Sequence, residues 1–382
     1  MTQRLPPVTM VETDERLKQA AEVMAQEAML AVDTESNSLY AYRERVCLIQ
    51  ISTRQQDFII DPLVVRDMSP LAPLFASESI EKVFHAATYD VMTMKRDFSF
   101  TFRNLFDTMI AARICGYRAI GLNNLVNDII GIQLDKSHQR DDWGMRPLSR
   151  DSLLYAQTDT YYLPAIRDHF AQLFTERNLW REVRETFDEL NRLPAAHHVF
   201  DPEGYWRLGK PSQLRARPMA ILRELYLWRE NTARRIDLPP FKILQDKVLV
   251  AIAQTSPATM EQLSHVDGMT PGLQRRFGAE VLKTVERGRH AELPTPPPIE
   301  PPADPFVVEV YTALREWRKH RAESRGVEAD VILAREALWA LAEHMPVTLE
   351  DLDAIPSLGE WRKQTYGEEL LGVLARFKKP EN

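Results

Sequence analysis

Two stretches in the carboxy-terminal half of this chain carry the same residues at one fixed offset of 89 positions. Trp228-Arg229 returns as Trp317-Arg318, Ile243-Leu244 as Ile332-Leu333, and Thr259, Glu261 and Leu263 as Thr348, Glu350 and Leu352. Gly278, Glu280 and Leu282 return as Gly367, Glu369 and Leu371, with Phe277 over Tyr366. Two unrelated amphipathic helices rarely share one register through so many positions, so these are two copies of one module. No strand pattern is visible from about residue 210 onward, which makes the module all-α. Between the copies runs ELPTPPPIEPPADP (292–305), a proline-rich spacer expected to be extended and semi-rigid. The expected division is a first module over 206–290, a linker over 291–305 and a second module over 306–382. The two tryptophans, present in both copies, are expected in the module cores.

The first 205 residues read differently. MLAVDTES, VCLIQIS and DFIIDPL are three apolar strand patterns, with a turn at Asp61-Pro62. A helix over 71–79, a strand at EKVFHAA and a helix from Tyr89 to about Asp97 follow. Further helices are predicted over 107–115, 121–130 and 151–173, with Asp107-Thr108 as a helix N-cap. Short strands mixed with helices predict an α/β domain whose sheet is flanked by helices.

Composition excludes more than it selects. Hydrophobic residues make up 44% of the chain and charged residues 27%, as in an ordinary soluble globular protein. No apolar run reaches the length of a membrane span. The amino terminus has no apolar signal core, and Cys47 and Cys115 have no metal-ligand spacing, so a cytoplasmic protein with reduced thiols and no zinc is expected. The formal net charge of −7 does not by itself favour a polyanionic partner. One run is basic: Arg207, Lys210, Arg215, Arg217, Arg223, Arg229, Arg234 and Arg235 face only Glu224 and Glu230. It reads equally as a solvated helix face and as a nucleic-acid surface.

Chemistry concentrates in three separated segments, AVDTES (31–36), VFHAATYD (83–90) and YAQTD (155–159). Each sets an acid at the edge of an apolar stretch, where an unpaired carboxylate is costly. Asp33 and Glu35 are two apart on a strand and share a face. Tyr155 and Asp159 are four apart on a helix and share a face. Taken singly, Asp33 and Glu35 pass for a surface alternation and Asp90 for a helix-start acid. Brought together, four carboxylates repel, and a pair of divalent cations is the simplest remedy. Two such ions about 4 Å apart are the working parts of phosphoryl-transfer nucleases and polymerases. Near these segments His85 is a candidate substrate contact or a packed histidine. Lys136, Arg140 and Trp143 offer phosphate contacts and a stacking surface.

The order DxE, HxxxxD, YxxxD resembles the three exonuclease motifs of the DEDDy 3′–5′ exonuclease superfamily. LDKSHQRDDW (134–143) is similar to the matching segment of the ribonuclease D family, and the repeated modules resemble its two HRDC domains. Family members often carry an aromatic residue directly after DTE, where this chain has Ser36. The resemblance implies a ribonuclease H-like mixed sheet in the first domain. It implies that Asp33, Glu35, Asp90 and Asp159 hold two Mg²⁺ or Mn²⁺ ions while Tyr155 orients the attacking water. The implied substrate is RNA with a single-stranded 3′ end, in particular tRNA precursors, shortened one nucleoside 5′-monophosphate at a time. The oligomeric state is not legible in the sequence, and a monomer is the default expectation. The motifs alone also admit a DNA exonuclease of the proofreading type. A catalytically silent nucleic-acid binder would have no need of all five residues, and glycoside hydrolysis needs only a pair of acids.

Overall fold

The computed structural model describes residues 5–135, 137–197, 199–209, 214–298, 301–302 and 304–377; Lys136 and Lys210 lie outside them. The first domain runs β1 (Thr9–Val11), α1 (Asp14–Met24), β2 (Met29–Ser36), β3 (Val46–Ser52), β4 (Asp57–Ile60), α2 (Ala72–Ala76) and β5 (Glu81–Phe84). It continues with α3 (Thr88–Phe98), β6 (Leu105–Asp107), α4 (Thr108–Ile114), α5 (Leu122–Ile130), α6 (Arg150–Tyr161), α7 (Leu163–Glu176) and α8 (Trp180–Asn191). The six strands form one sheet in the order β1-β4-β3-β2-β5-β6. It is mixed: β3 and β4 are antiparallel, while β1–β4, β2–β5 and β5–β6 are parallel.

β2 is an interior strand, and Met29–Val32 are buried before the chain reaches Asp33. The acids therefore begin where the sheet's apolar cover ends, at a strand end of the kind that carries ligands in open α/β sheets. Two strands escaped the pattern reading. β1 and β6 have three residues each, too few to show an alternation. The helix expected over 151–173 is two helices, α6 and α7. Pro164, in the first turn of α7, has no N–H to continue the ladder of α6. The helix expected over 71–79 is a 3₁₀ turn followed by the five residues of α2.

The first module contains α9 (Tyr205–Leu208), α10 (Ala216–Ile236), α11 (Pro240–Ile243), α12 (Asp246–Thr255), α13 (Met260–Ser264) and α14 (Pro271–His290). The second contains α15 (Pro305–Arg325), α16 (Ala329–Ile332), α17 (Arg335–His344), two 3₁₀ turns and α18 (Glu360–Leu374). α11 and α16, and α12 and α17, begin and end at the same 89-residue offset. The side chains keep it too. Trp228 Nε1 donates to Glu280 and Trp317 Nε1 to Glu369, both at 2.9 Å, and Arg229 and Arg318 each donate to the carbonyl of the matching leucine, Leu244 or Leu333, at 2.8 Å. Trp228 packs edge-on against Phe277 and Trp317 against Tyr366, as expected of module-core residues.

The packing cuts across the linear order. One compact unit takes the residues up to Glu35, Val46–Ala196 and the second module from Pro301 onward; the other takes Ser36–Arg45 and residues 197–300. In the first unit the second module is fastened to α8. Arg325 pairs with both oxygens of Glu182 at 3.0 and 2.8 Å, and Arg362 lies 3.4 Å from Glu185. In the other unit, Asp237 accepts from the Arg43 amide at 2.9 Å, Tyr42 donates to Glu230, and Lys242 sits 3.8 Å above the Tyr40 ring. The basic run there is largely engaged within the module. Arg229 is buried against Asp246, Arg217 caps the Ala291 carbonyl, and Arg207, Arg223, Arg234 and Arg235 lie within ion-pair distance of acids.

Candidate active site

β2 brings Asp33 and Glu35 to one cavity of about 370 Å³, α6 adds Tyr155 and Asp159, and the end of β5 adds His85. Oxygens of Asp33, Glu35 and Asp159 all lie within 4.8 Å of one another, three half-buried carboxylates. Among the described residues lining the cavity there is no lysine or arginine to offset them. Burial, then the charges of Asp90, Asp159 and Glu35, hold the Asp33 carboxyl well above the usual carboxylate range. Burial, then Asp159, Asp90 and Asp141, push Glu35 up to about 9. Burial raises Asp90 and Asp159 to about 7, against the hydrogen bonds each accepts. Oxygen-only, acidic and mutually repelling, this donor set fits hard divalent cations such as Mg²⁺ and Mn²⁺.

Asp90 lies beside that group rather than within it. It is 6% exposed, and its carboxylate accepts a hydrogen bond from the Thr34 hydroxyl. Nothing in the sequence singles out Thr34, because alternation along a strand sends it to the face opposite Asp33 and Glu35. Its partner lies 56 residues away. Asp107 is the helix N-cap that the sequence predicts, accepting from the amides of Met109 and Ile110. The same carboxylate also accepts from the amides of Ala86 at 3.2 Å and Ala87 at 2.7 Å. Ala86 has φ +63°, a conformation alanine adopts only at a cost. Asp107 thus holds in place the turn that joins His85 to α3 and Asp90.

Tyr155 hydrogen-bonds Asp159. Burial, then the charges of Asp159, Glu35 and Asp33, push its phenol further above its ordinary value. It stays protonated at neutral pH and can orient a water without removing its proton. The segment after α5 supports this tyrosine. His138 pairs with Asp141 at 2.9 Å, Asp141 accepts from the Ser152 hydroxyl at 2.6 Å, and the His138 and Trp143 rings lie 6.4 and 6.2 Å from that of Tyr155.

Here one expectation is corrected. Trp143 is 2% exposed and packs with Cys47, Leu48, Ile59 and Ala156, so it has no free face for a base. An indole beside Leu148 and Leu153 gains more from burial than from solvent, and the sequence shows only its neighbours in the loop. Arg140 is exposed and outside the cavity lining, to which its loop contributes Asp135 and Gln139. Gly121, Leu122, Asn123 and Leu134 complete the wall.

Residues 8–174 match the family model described as 3′–5′ exonuclease, and residues 219–285 and 308–374 each match the HRDC domain. The ribonuclease D of Acidiphilium cryptum is 30% identical over 96% of this chain and 93% of its own length. The chain belongs to the ribonuclease D family. It is accordingly an exoribonuclease that acts from the 3′ end of RNA. The crystal structure of Escherichia coli RNase D, described as an exoribonuclease involved in structured RNA processing, superposes with a TM-score of 0.68 at 25% identity. That match covers 98% of this chain and 100% of the other. The catalytic core of RRP6 from Trypanosoma brucei superposes with the same TM-score at 31% identity, over 75% of this chain and 81% of that one. The first domain and the two HRDC modules are thus family features. Among the described residues no helix is long and apolar enough to cross a membrane.

Proposed function

We propose that this ribonuclease D-type enzyme hydrolyses the last phosphodiester of RNA with two divalent ions and releases nucleoside 5′-monophosphates one at a time. The observation that carries the proposal is the convergence of Asp33, Glu35 and Asp159 in a cavity with no described lysine or arginine. Those three carboxylates, with Asp90 once its bond to Thr34 is given up, would hold the ions. Bound there, Mg²⁺ or Mn²⁺ supplies a nucleophilic water at neutral pH and charge stabilisation for the leaving 3′-oxygen. Tyr155, kept as a phenol and fixed by Asp159, His138 and Trp143, orients that water. Asp107 holds the turn that carries Asp90. His85, Arg140 and Lys136 are the proposed contacts to the RNA.

The substrates proposed are RNAs with a single-stranded 3′ end, tRNA precursors above all, in the cytoplasm and with the enzyme as a monomer. The test is release of mononucleotides from a labelled, 3′-extended tRNA with Mg²⁺, with chelator, and beside a DNA strand of matched sequence. Stepwise shortening that needs the metal and favours RNA is expected. Metal-independent cleavage, or equal activity on DNA, overturns the proposal.

A further inference from the structure

His85 lines the cavity together with the carboxylates but is not one of the residues whose ligand atoms cluster within 4.8 Å. Its hydrogen bonds define the tautomer of the ring, and with Nδ1 tied to Thr108, which is no part of the lining, Nε2 is the ring nitrogen left for a ligand. His85 Nδ1 lies 2.9 Å from the Thr108 hydroxyl, and the same hydroxyl donates to the Phe84 carbonyl at 3.0 Å. A hydroxyl has one proton and a carbonyl can only accept, so the Thr108 proton belongs to Phe84. Nδ1 must then carry a hydrogen and donate it to the Thr108 oxygen. Burial pushes the imidazole down to about 4, so the ring is neutral at physiological pH. Nε2 is left as a bare acceptor.

The charged groups of the described wall are all carboxylates, acceptors once ions displace their protons. A terminal nucleotide entering the cavity finds carboxylates for its ions and an acceptor nitrogen at His85, which is satisfied only by a donor. An enzyme that removes nucleotides in succession meets all four bases, so the donor must be common to them. The sugar hydroxyls are such donors, and the 2′-OH is the one that distinguishes RNA from DNA.

We infer that His85 Nε2 accepts a hydrogen bond from the 2′-hydroxyl of the 3′-terminal ribose, with Thr108 as the positioning residue that fixes the tautomer, and that this contact sets the preference for RNA. The inference rests on the exonuclease reading of the same cavity. A 2′-deoxy end would leave Nε2 buried without a partner, and a site built around such a hydrogen bond discriminates strongly against the analogue that lacks it.

The test compares kcat/KM for oligonucleotides ending in a ribonucleotide, a 2′-deoxynucleotide or a 3′-deoxynucleotide. Beside it, AMP and 2′-deoxy-AMP binding are measured by calorimetry with Mg²⁺. The wild-type protein should prefer the ribonucleotide in both assays by about tenfold or more. In His85→Ala that ratio should fall to about one, and in Thr108→Val, which keeps the shape and removes the hydroxyl, it should fall part of the way with Nδ1 no longer tied. A wild type with no preference overturns the inference. So does a His85→Ala protein that loses activity on both ends alike with the ratio unchanged. If His85→Ala changes only the response to the 3′-deoxy end, the contact is to the 3′-hydroxyl and the 2′ assignment is wrong. Should no RNA be shortened at all, the exonuclease reading has failed, while the preference for AMP in binding still decides this one. Should His85→Ala fail to fold, Thr108→Val carries the same decision.

Discussion

Two acidic groups, one around a fully buried glutamate and one half-buried, lie in the same unit of this protein, and they are treated in opposite ways. On α8, Glu182 is 1% exposed yet meets Arg325 through both oxygens, while Glu185 faces Arg362. At the ends of β2 and along α6, Asp33, Glu35 and Asp159 face each other with no described lysine or arginine in the cavity. The first set is structural: it fastens the second HRDC module, with the repeat of the first module altered to do so. Arg325 and Arg362 occupy the positions that Ile236 and Leu273 hold in the first copy. The second set is frustrated: among the described residues of the cavity no lysine or arginine balances its charge, so it holds protons or takes cations. A carboxylate cluster with internal partners belongs to the architecture; one without them is a site.

The contrast breaks most sharply at Asp33. Asp33→Asn should lower kcat on RNA by on the order of 10³-fold. It should at the same time raise the Tm of the metal-free protein, worth roughly 1 kcal/mol after allowing for the residue's partial exposure. Equal or lower thermal stability in chelator would mean that the cluster is not frustrated. Next comes its structural counterpart. Glu182→Ala strands Arg325 and should cost about 3 kcal/mol in urea unfolding, whereas replacing the pair by Glu182→Leu with Arg325→Met should recover most of that loss. If the single and double variants are equally unstable, the pair is not the fastening.

Tyr155→Phe keeps the ring between His138 and Trp143 and removes the hydroxyl. It should reduce kcat by about 10²-fold with KM nearly unchanged, since orientation of water is felt in the chemical step. A rise in KM alone would assign Tyr155 to binding instead. The pH dependence should be gentler. Unfolded carboxylates ionise near pH 4, while in the folded, metal-free state Asp90 and Asp159 hold protons to about 7 and Glu35 to about 9. The folded state therefore binds more protons across that window, so stability without metal falls as pH rises from about 4 to 9. Metal binding displaces those protons, so affinity for Mg²⁺ should rise over the same range. Calorimetric titrations at pH 6 and 8 check it, and a pH-independent affinity would refute it. The smallest effect is expected at Arg362→Met, about 1 kcal/mol, because Glu185 keeps the Trp361 amide as a donor at 2.6 Å. Loss comparable with Glu182→Ala in the same unfolding measurement would show instead that Glu185 depends on Arg362.

Much of this was present in patterns along the chain. Strand β2, with two acids sharing a face at its end, the Tyr155–Asp159 helical pair, the Asp107 cap and the 89-residue repeat all depend on near neighbours or on a constant offset. Both are visible in one dimension. The identity of the two modules extends to the tryptophan–glutamate bonds, because equal sequences under equal packing give equal geometry. Folding in three dimensions decided the rest. Thr34 meets Asp90 across 56 residues and Arg325 meets Glu182 across 143. The Trp143 indole went inward, and Asp107 took on the strained turn at Ala86 besides its own helix. Hydrogen bonds and burial of this kind depend on which elements meet, and no periodicity encodes that. The residue types and their spacing determined that this chain carries an acidic cluster in an exonuclease domain, followed by two copies of a helical module. Only the tertiary structure decided which acids, among the described residues, meet an arginine and which line a cavity without one, because ion pairing depends on which elements the fold brings together.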